Sequence, residues 1–216
     1  YPEKFLTLST EAPLESHFDD LAYVNYVSDP DDWHVMLRVP TLWRVLVAAD
    51  EATPDAELTS DATKERVFGR LIGAPETETR HRTIYRVHQR VANRFDHGRV
   101  CLIGDSAHLN NPLGGLGMNS GIHDAVNLAE KLVRVLREGA DPAVELPRFG
   151  RQRQTVTRTF IQRQTMKNKV MIEADERGRE ALFEEMRTIL SDPDKRRAYM
   201  RRQAMFDSLA EAEAVA

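Results

Sequence analysis

Residues 98–125 read GRVCLIGDSAHLNNPLGGLGMNSGIHDA and combine four features. The run Val100–Ile103 is apolar on both faces, as in a strand buried within a parallel sheet. The acidic residue Asp105 follows the carboxyl end of this run, and after it come a loop rich in Gly, Asn and Pro and then apolar residues at helical spacing. In open α/β sheets, ligands bind at the carboxyl ends of the strands. The segment therefore predicts a strand, a ligand-binding loop and a helix.

The composition of the loop suits a flat, polar ligand. Glycines at positions 114, 115 and 117 allow the backbone to approach a planar ring closely. The first amides of the helix that follows carry partial positive charge, so an anion or an electron-rich ring edge would be stabilised there. Asp105, when ionised, only accepts hydrogen bonds, which suits it to the hydroxyl groups of a sugar or polyol.

The run resembles the second flavin-binding motif of the class A flavoprotein monooxygenases, the family of p-hydroxybenzoate and phenol hydroxylases. That motif has the form G-R-V/L-x-L-x-G-D-A/S-A-H-x-x-x-P-x-G-G/A-x-G-M/L-N-x-G-x-x-D-A, and residues 98–125 meet almost every fixed position. The resemblance implies an oxidoreductase: an FAD-dependent monooxygenase (hydroxylase) of aromatic or polycyclic small molecules that uses NAD(P)H as co-substrate and dioxygen. Two alternatives stay open, namely a related flavoprotein oxidoreductase or halogenase, and a non-catalytic fragment or subunit with an incomplete flavin site.

The resemblance also assigns roles within the segment. Asp105 matches the aspartate that holds the ribityl chain of FAD, the amides of Met118 and Asn119 match those at the pyrimidine edge of the ring, and Pro112 matches a proline beside flavin and substrate. The predicted cofactor-binding residues are Gly104, Asp105, Pro112, Gly114, Gly115, Leu116, Gly117, Met118 and Asn119. No catalytic residue and no metal ligand is predicted.

Several neighbouring residues need separate interpretation. Asn111 stands where many relatives carry a proline ahead of the one at position 112, and Leu113 replaces a frequent threonine. The sequence therefore does not determine how stiff the loop is or which substrate contacts it makes. His108 is interpreted as a donor that packs the loop rather than as a catalytic base. His123 and Asp124 are placed at the start of the helix, where the carboxylate suits the positive dipole.

Two rival motifs overlap the same segment. Gly104-Asp105-Ser106 after an apolar strand also begins the motif of GDSL-type esterases, but such an enzyme needs a histidine base near its C-terminus, and the seven histidines end at His123. The string Gly115-x-Gly117-x-x-x-Gly121 follows a long loop rather than a tight strand–helix turn, so it is a poor dinucleotide fingerprint. Both alternatives are disfavoured.

The rest of the chain predicts an α+β fold: part of an α/β FAD-binding fold, an antiparallel substrate-domain sheet and C-terminal helices. Residues 33–44 show the pattern W-x-V-x-L-R-x-P-x-x-W-R, which resembles the substrate-domain sheet of the same family. Within the sheet, Trp33, Arg38, Trp43 and Tyr85 line either an aromatic substrate pocket or the core. The predicted domains are residues 1–92 (substrate-domain sheet), 93–140 (C-terminal part of the FAD-binding domain) and 141–216 (helical region).

Individual elements follow from periodicity and turn residues. Glycines and prolines place a stop at Gly73 and another near Glu138-Gly139. The predicted elements are a hairpin of residues 23–27 and 33–39 around the turn 28–32, a helix at 62–72, strands at 83–91 and 99–103, an amphipathic helix from Met118 to Leu136, helices at 149–174 and 177–190, and a last helix after Pro193.

Part of the family pattern is missing. No strand followed by G-x-G-x-x-G precedes the segment and no D-G motif is present, and the chain begins at Tyr1 without a methionine. A strand as apolar as Val100–Ile103 needs neighbours on both edges, which this sequence does not supply. We therefore expect a C-terminal fragment, inactive alone, whose N-terminal FAD-binding half lies upstream in the parent or on another polypeptide.

Composition narrows the partners and the location. Thirty basic and thirty-four acidic side chains give a formal net charge of -4, which argues against nucleic acid or an anionic membrane, and the basic clusters in residues 148–169 and 195–202 are interpreted as solvated helix faces. No run approaches the roughly 18 apolar residues of a membrane span. The single cysteine, Cys101, lies in an apolar run, which favours a small buried residue over a disulfide or a metal ligand. A protein with one such cysteine fits a reducing cytoplasm best. A homodimer is possible.

Overall fold

The computed structural model describes residues 3–29 and 33–216, which form an α+β fold. The contacts within the chain divide it into two units. One extends to Val87 and includes Met171–Glu176, and the other comprises His88–Val170 and Arg177–Ala216. The strands are β1 (Glu3–Thr10), β2 (Val24–Val27), β3 (His34–Arg38), β4 (Trp43–Asp50), β5 (His81–Arg86), β6 (Arg90–Val91), β7 (Asp96–His97), β8 (Val100–Cys101) and β9 (His108–Leu109). The helices are α1 (Asp55–Leu58), α2 (Asp61–Ile72), α3 (Leu116–Arg137), α4 (Pro142–Val156), α5 (Gln162–Ile172), α6 (Glu176–Ser191), α7 (Pro193–Gln203) and α8 (Phe206–Ala214).

The first unit is built on a five-stranded antiparallel sheet in the order β2-β3-β4-β1-β5. The predicted hairpin is confirmed, because β2 pairs with β3 in a register that places Val24 opposite Leu37. Of the turn predicted at residues 28–32, positions 30–32 lie outside the described residues. One face of the sheet is the core of this unit.

Alternation along the strands selects that core face. The side chains of Leu6, Leu8, Met36 and Val45 are buried in one cluster together with Phe68 of α2. Full burial of an aliphatic or aromatic side chain of this size contributes about 1.5–3 kcal/mol. Helix α2 ends as predicted at Gly73, whose φ is 69°, and at its N-terminus Ser60 Oγ accepts from the amide of Thr63.

The four residues for which the sequence allows either a substrate pocket or a place in the core lie on opposite faces of the sheet. Trp43 is 2% exposed within the core cluster, and the guanidinium of Arg38 lies 5.5 Å from the centre of its ring. On the other face, Trp33 meets Phe5 edge to face at 5.4 Å, and Tyr85 is the half-exposed cross-strand partner of Phe5. The four side chains cannot line one pocket, because the sheet separates them.

Helices dominate the second unit. Helix α3 ends as predicted, with Glu138 at its C-cap and Gly139 at a φ of 73°. The helix predicted at residues 149–174 is instead two helices: α4 begins earlier, at Pro142 behind the cap Asp141, and a π-helical turn at residues 157–161 separates it from α5. The region after Pro193 also contains two helices, divided at Met205, whose φ is 65°.

The strand predicted at residues 99–103 is shorter and more exposed than expected. Only Val100 and Cys101 are strand residues, and they pair antiparallel with Asp96–His97. Val100 is 61% exposed and Ile103 37%. No parallel pairing occurs among the described strands, so the parallel sheet expected around this strand, with neighbours that this sequence does not supply, stays a prediction. Across those residues, none of the helices has the length and apolar character to cross a bilayer.

Candidate functional site

The Gly104–Ser106 segment forms a tight 3-10 turn directly after Ile103. Gly104 has a φ of 57°, a left-handed conformation that favours glycine, and the turn is closed by the amide of Ala107, which donates to the Gly104 carbonyl at 2.8 Å. The side chain of Asp105 is exposed at the tip of this turn. The sequence therefore places a solvent-facing carboxylate on a backbone of fixed shape.

The turn packs closely against α3 through two glycines. A Cβ atom built on Gly121 would lie 3.2 Å from the Cα of Gly104, tighter than nine in ten Cβ contacts in proteins. Gly121, the last glycine of the string Gly115-x-Gly117-x-x-x-Gly121, thus serves helix–turn packing. Because Gly121 lies in the second turn of α3, the position of Asp105 is tied to the beginning of that helix.

The loop before α3 ends in a second tight turn, Pro112–Gly115. The amide of Gly115 donates to the carbonyl of Pro112 at 3.0 Å, and Gly114 has a φ of 95°. A side chain at position 114 would be strained and would also collide with the amide nitrogen of Asn168. Leu113, at the position of a frequent threonine, is buried, so its side chain packs inside the protein and lines no open surface.

Helix α3 begins at Leu116 without a side-chain cap. Gly115 is the N-cap at a φ of 64°, and the first turn contains no acidic residue. Met118 is 75% exposed, and the side chain of Asn119 donates to the carbonyl of Gly115 at 2.9 Å. Uncapped amides at a helix N-terminus provide a site for an anion or for electronegative ring atoms.

Beneath these turns lies a fully buried polar network centred on Asp124. Its Oδ2 accepts from the backbone amide of Gly104 at 3.0 Å and lies 2.9 Å from Nε2 of His108, while its Oδ1 accepts from Nε of Arg153 at 2.7 Å. Arg153 also approaches the carbonyl and hydroxyl oxygens of Ser120 at 3.4 Å. The network ties the 104–106 turn to α3 and α4.

The environment of Asp124 stabilises its charged form. Burial by itself raises the pKa of this carboxyl, but the hydrogen bond from His108, the charge and hydrogen bond of Arg153 and the amide of Gly104 outweigh it, so the net pKa is lowered. His123, which points partly inward, has a lowered pKa because of burial and the nearby positive charge of Arg153.

The network corrects one prediction and adds one residue. Asp124 is not at the start of the helix but eight residues beyond Leu116, so its role is the buried ion pair rather than the dipole. His108, interpreted as a packing residue, is buried and hydrogen-bonded to Asp124. Arg153 was missed, since it lies in an Arg-rich run that was interpreted as solvated but is completely buried. A buried Phe149 four residues earlier on the same helix was the available signal.

The esterase alternative finds no support in the geometry. The hydroxyl of Ser106 donates to the carbonyl of Ile103 at 2.8 Å, and within the described residues no histidine ring is hydrogen-bonded to it. His108 is instead engaged by Asp124. Cys101 is a free thiol whose pKa is raised by burial and by the charge of Asp96, which does not favour a reactive thiolate.

Comparison with known proteins agrees with the geometry. The model of a family described as FAD binding domain matches residues 2–165. Para-nitrophenol 4-monooxygenase of Pseudomonas sp. (strain WBC-3) is 45% identical over 121 residues, which are 54% of this chain and 30% of that protein. A 3-(3-hydroxy-phenyl)propionate/3-hydroxycinnamic acid hydroxylase of Mycolicibacterium vanbaalenii is 39% identical over 139 residues, or 63% of this chain and 24% of the relative.

Solved structures show the same relationship. The p-nitrophenol 4-monooxygenase PnpA of Pseudomonas putida DLL-E4 superposes with a TM-score of 0.72 at 32% identity, over 96% of this chain and 48% of that one. The flavin-dependent monooxygenase PieE, solved with FAD and substrate, gives a TM-score of 0.66 at 26% identity, over 98% of this chain and 38% of that one. This chain thus spans less than half the length of these relatives. Because the family model covers most of the chain, the protein belongs to the FAD-binding-domain family of the FAD-dependent aromatic monooxygenases.

Proposed function

We propose that this chain supplies the part of an FAD site that holds the ring-and-ribityl end of the cofactor, within an FAD-dependent monooxygenase of aromatic small molecules. One observation supports it most: the exposed carboxylate of Asp105 lies on a turn packed against the same helix whose uncapped N-terminus begins at Leu116. An acceptor for ribityl hydroxyls and donors for the ring edge are thus held on one rigid support.

The residues fit the cofactor in chemistry as well as in placement. A Cβ at Gly115 would meet no atom within 4 Å, so the backbone there is open to a flat ligand, whereas the corresponding side of Gly114 is occupied by Asn168. The exposed Met118 and the side chain of Asn119 flank the first amides of the helix. The predicted set Gly104, Asp105, Pro112 and Gly114–Asn119 forms the proposed cradle.

When bound and reduced by NAD(P)H, FAD would supply the chemistry that inserts one oxygen atom of dioxygen into the aromatic substrate and releases the other as water. The role of this chain is to bind and orient the cofactor. Partial positive charge at the N-terminus of α3 stabilises negative charge at the pyrimidine edge of the ring, and Asp105 fixes the ribityl chain. The names of the relatives favour a phenolic or related aromatic substrate. The single cysteine, which is a free thiol, favours a location in the cytoplasm.

The remainder of the cofactor needs a partner surface. Helix α3, predicted to be amphipathic, exposes its apolar stripe, and Val100 and Ile103 are exposed as well. The exposed members of the stripe include Met118, Ile122, Val126, Leu132, Val133 and Leu136. We propose that an N-terminal half of the flavin domain, in the same protein or in a second polypeptide, covers this surface and holds the ADP part of FAD.

The assignment of Asp105 is tested by flavin titration. In the complete protein, Asp105→Ala removes an acceptor whose hydrogen bonds to hydroxyls are charge-assisted, at about 1.5–3 kcal/mol, so we expect FAD affinity to fall roughly 10- to 150-fold. Glu138→Gln, an exposed carboxylate at the opposite end of α3, is the matched control and should leave affinity unchanged. Equal affinities in the two variants would remove Asp105 from the site.

The contribution of the chain by itself is tested by its visible spectrum. A yellow purified chain, or one that acquires flavin absorbance after FAD is added, would mean that the ring-and-ribityl part suffices for binding. A colourless chain that stays colourless, in contrast to a yellow complete protein, would support the shared site.

A further inference from the structure

One face of α5 is hydrogen-bonded to the loop that precedes α3. Gln162 Nε2 donates to the carbonyl of Leu109 at 3.0 Å, and Asn168 Nδ2 donates to the carbonyl of Leu113 at 3.1 Å. Between them, the carbonyl of Thr165 accepts from the side chain of Asn111 at 3.0 Å. The three α5 residues are spaced by three, so they share one side of the helix. The loop is therefore held along its length by a single helical face.

Asn111 is the centre of these contacts. It is 2% exposed, its backbone amide donates to Oε1 of Gln89 at 3.0 Å, and its Oδ1 accepts from the amide of Leu113 at 3.1 Å. Gln89 in turn donates to Oγ1 of Thr165 at 3.1 Å. At this position the flavin-binding motif that residues 98–125 resemble often has proline, whose ring restricts the backbone and so stiffens the loop. Here hydrogen bonds from a buried amide restrain the same backbone.

Asn168 acts at the position that determines the shape of the turn. Gly114 has a φ of 95° whereas Leu113 does not have a positive φ, which matches the central residues of a type II turn over Pro112–Gly115. Type I and type II turns differ in the orientation of their central peptide, here Leu113–Gly114. The donor of Asn168 holds the carbonyl of that peptide, and Gln164 donates to Oδ1 of Asn168 at 2.9 Å, which fixes the direction of the amide.

We propose that Gln89, Asn111 and Asn168 are positioning residues: an amide brace that fixes the Leu113–Gly114 peptide, and with it the turn that opens α3, in the orientation that receives the ring of FAD. The inference rests on the proposed function and adds a role for α5. None of the three needs to touch the cofactor. Their effect is to prevent the glycine-rich turn from adopting other conformations, which Gly114 and Gly115 would otherwise permit.

The brace is tested first in the chain itself, without flavin. Asn168→Asp keeps the acceptor for Gln164 but turns a second acceptor toward the Leu113 carbonyl. We expect amide hydrogen exchange at Gly115, which closes the turn, to become roughly tenfold faster, because one hydrogen bond is lost and an unpaired acceptor replaces it. Arg163→Gln, an exposed change on the same helix, should not alter exchange. Circular dichroism is the control that checks whether both variants are folded.

The positioning role is tested next in the complete protein. We expect Asn168→Asp to weaken FAD binding roughly tenfold and to shift the visible absorption of the bound flavin, with no change in Arg163→Gln. Asn111→Pro supplies the rescue: if restraint of the loop is what matters, it should bind FAD more tightly than Asn111→Ala, although proline removes more hydrogen bonds than alanine does.

Three outcomes would overturn the inference, and they are distinguishable. Unchanged exchange at Gly115 in Asn168→Asp would mean that no brace exists. Faster exchange with unchanged FAD affinity and spectrum would mean that the contacts only support the fold. If the unmodified complete protein binds no FAD, the proposed function fails and the positioning role fails with it, while the exchange measurement still decides whether the brace is present.

Discussion

Asp124 is a charged residue that solvent does not reach, and the free energy of this arrangement depends on keeping all of its partners. Taking a carboxylate and a guanidinium out of water costs several kcal/mol per ion, and Arg153, His108 and the Gly104 amide offset that cost by direct contact. Because one of these partners is the backbone of the 104–106 turn, the network couples the stability of the second unit to the shape of the proposed site.

The substitution Asp124→Asn tests this coupling. It preserves shape but leaves Arg153 buried without a counter-charge, a loss that typically costs about 3–5 kcal/mol. We expect a large fall in the denaturation midpoint, measured by urea titration. Asp141→Asn, at the exposed N-cap of α4, is a matched control, since asparagine caps helices as well as aspartate does. A urea midpoint for Asp124→Asn equal to that of the control would contradict the proposed contribution of the Asp124–Arg153 ion pair to stability.

The same carboxyl predicts an acid dependence of stability. Its folded pKa is lowered, so in the unfolded chain it binds a proton at a higher pH than in the folded protein. The contribution of the Asp124 carboxyl to the free energy of unfolding is therefore complete above its unfolded pKa of about 3.9. It is lost as the pH falls through the lower pKa of the folded protein. We expect the stability difference between the protein and Asp124→Asn to be constant near neutral pH and to shrink below about pH 4. A stability difference between the two proteins that increased in acid would contradict a lowered pKa for Asp124.

At the scale of elements, the contact between α3 and the 104–106 turn depends on the absence of a side chain at Gly121. Alanine is favoured over glycine inside a helix by about 1 kcal/mol, but here its Cβ would press against the Gly104 backbone. We expect Gly121→Ala to gain no thermal stability and to weaken FAD binding in the complete protein, because the turn that carries Asp105 must move.

Gly69→Ala in α2 is the matched comparison for that change. Its new Cβ would meet Pro75 at 3.6 Å, an ordinary contact, so the helix-propensity gain of about 1 kcal/mol should remain and raise the melting temperature by about 2–4 °C. If Gly121→Ala stabilised the protein as much as Gly69→Ala does, the close packing of turn and helix would not be a constraint.

Elements with local signals were predictable from the sequence, and contacts between distant elements were not. Helix α3 and its end at Gly139 follow from apolar spacing and a glycine stop, and α2 follows in the same way. By contrast, Arg153 reaches Asp124 from another helix 29 residues along the chain, and Asn168 reaches the loop from 55 residues away. The apolar Phe149 one turn before Arg153 is the local signal for the burial of that residue, whereas no comparable pattern marks Asn168. The π-helical turn that precedes α5 likewise has no simple sequence signal.

At the scale of the whole molecule, the exposed apolar stripe of α3 is the feature that requires explanation. Met118 and Leu136, at the two ends of the helix, are 75% and 78% exposed, and the opposite face is buried around Asp124 and Lys131. Contiguous apolar patches of this kind mark interaction surfaces in soluble proteins. The apolar periodicity of α3 indicates a face that packs against something, but it does not indicate which polypeptide, so an exposed stripe agrees with the proposed cover by the rest of the flavin domain.

The substitution Val126→Gln should affect the isolated chain and the complete protein differently. Val126 is 54% exposed in this chain, so the change should alter the stability of the isolated chain by less than about 0.5 kcal/mol. In the complete protein, where we propose that the stripe is covered, a buried polar amide in its place should cost about 1–3 kcal/mol and lower FAD retention. Ile161→Ala, in a fully buried position, should cost about 2–5 kcal/mol of stability in the isolated chain and in the complete protein. It is the positive control, because it shows that the assay detects a loss of stability in each protein. Equal tolerance of Val126→Gln in the two proteins would mean that α3 is not the surface on which the rest of the flavin domain packs.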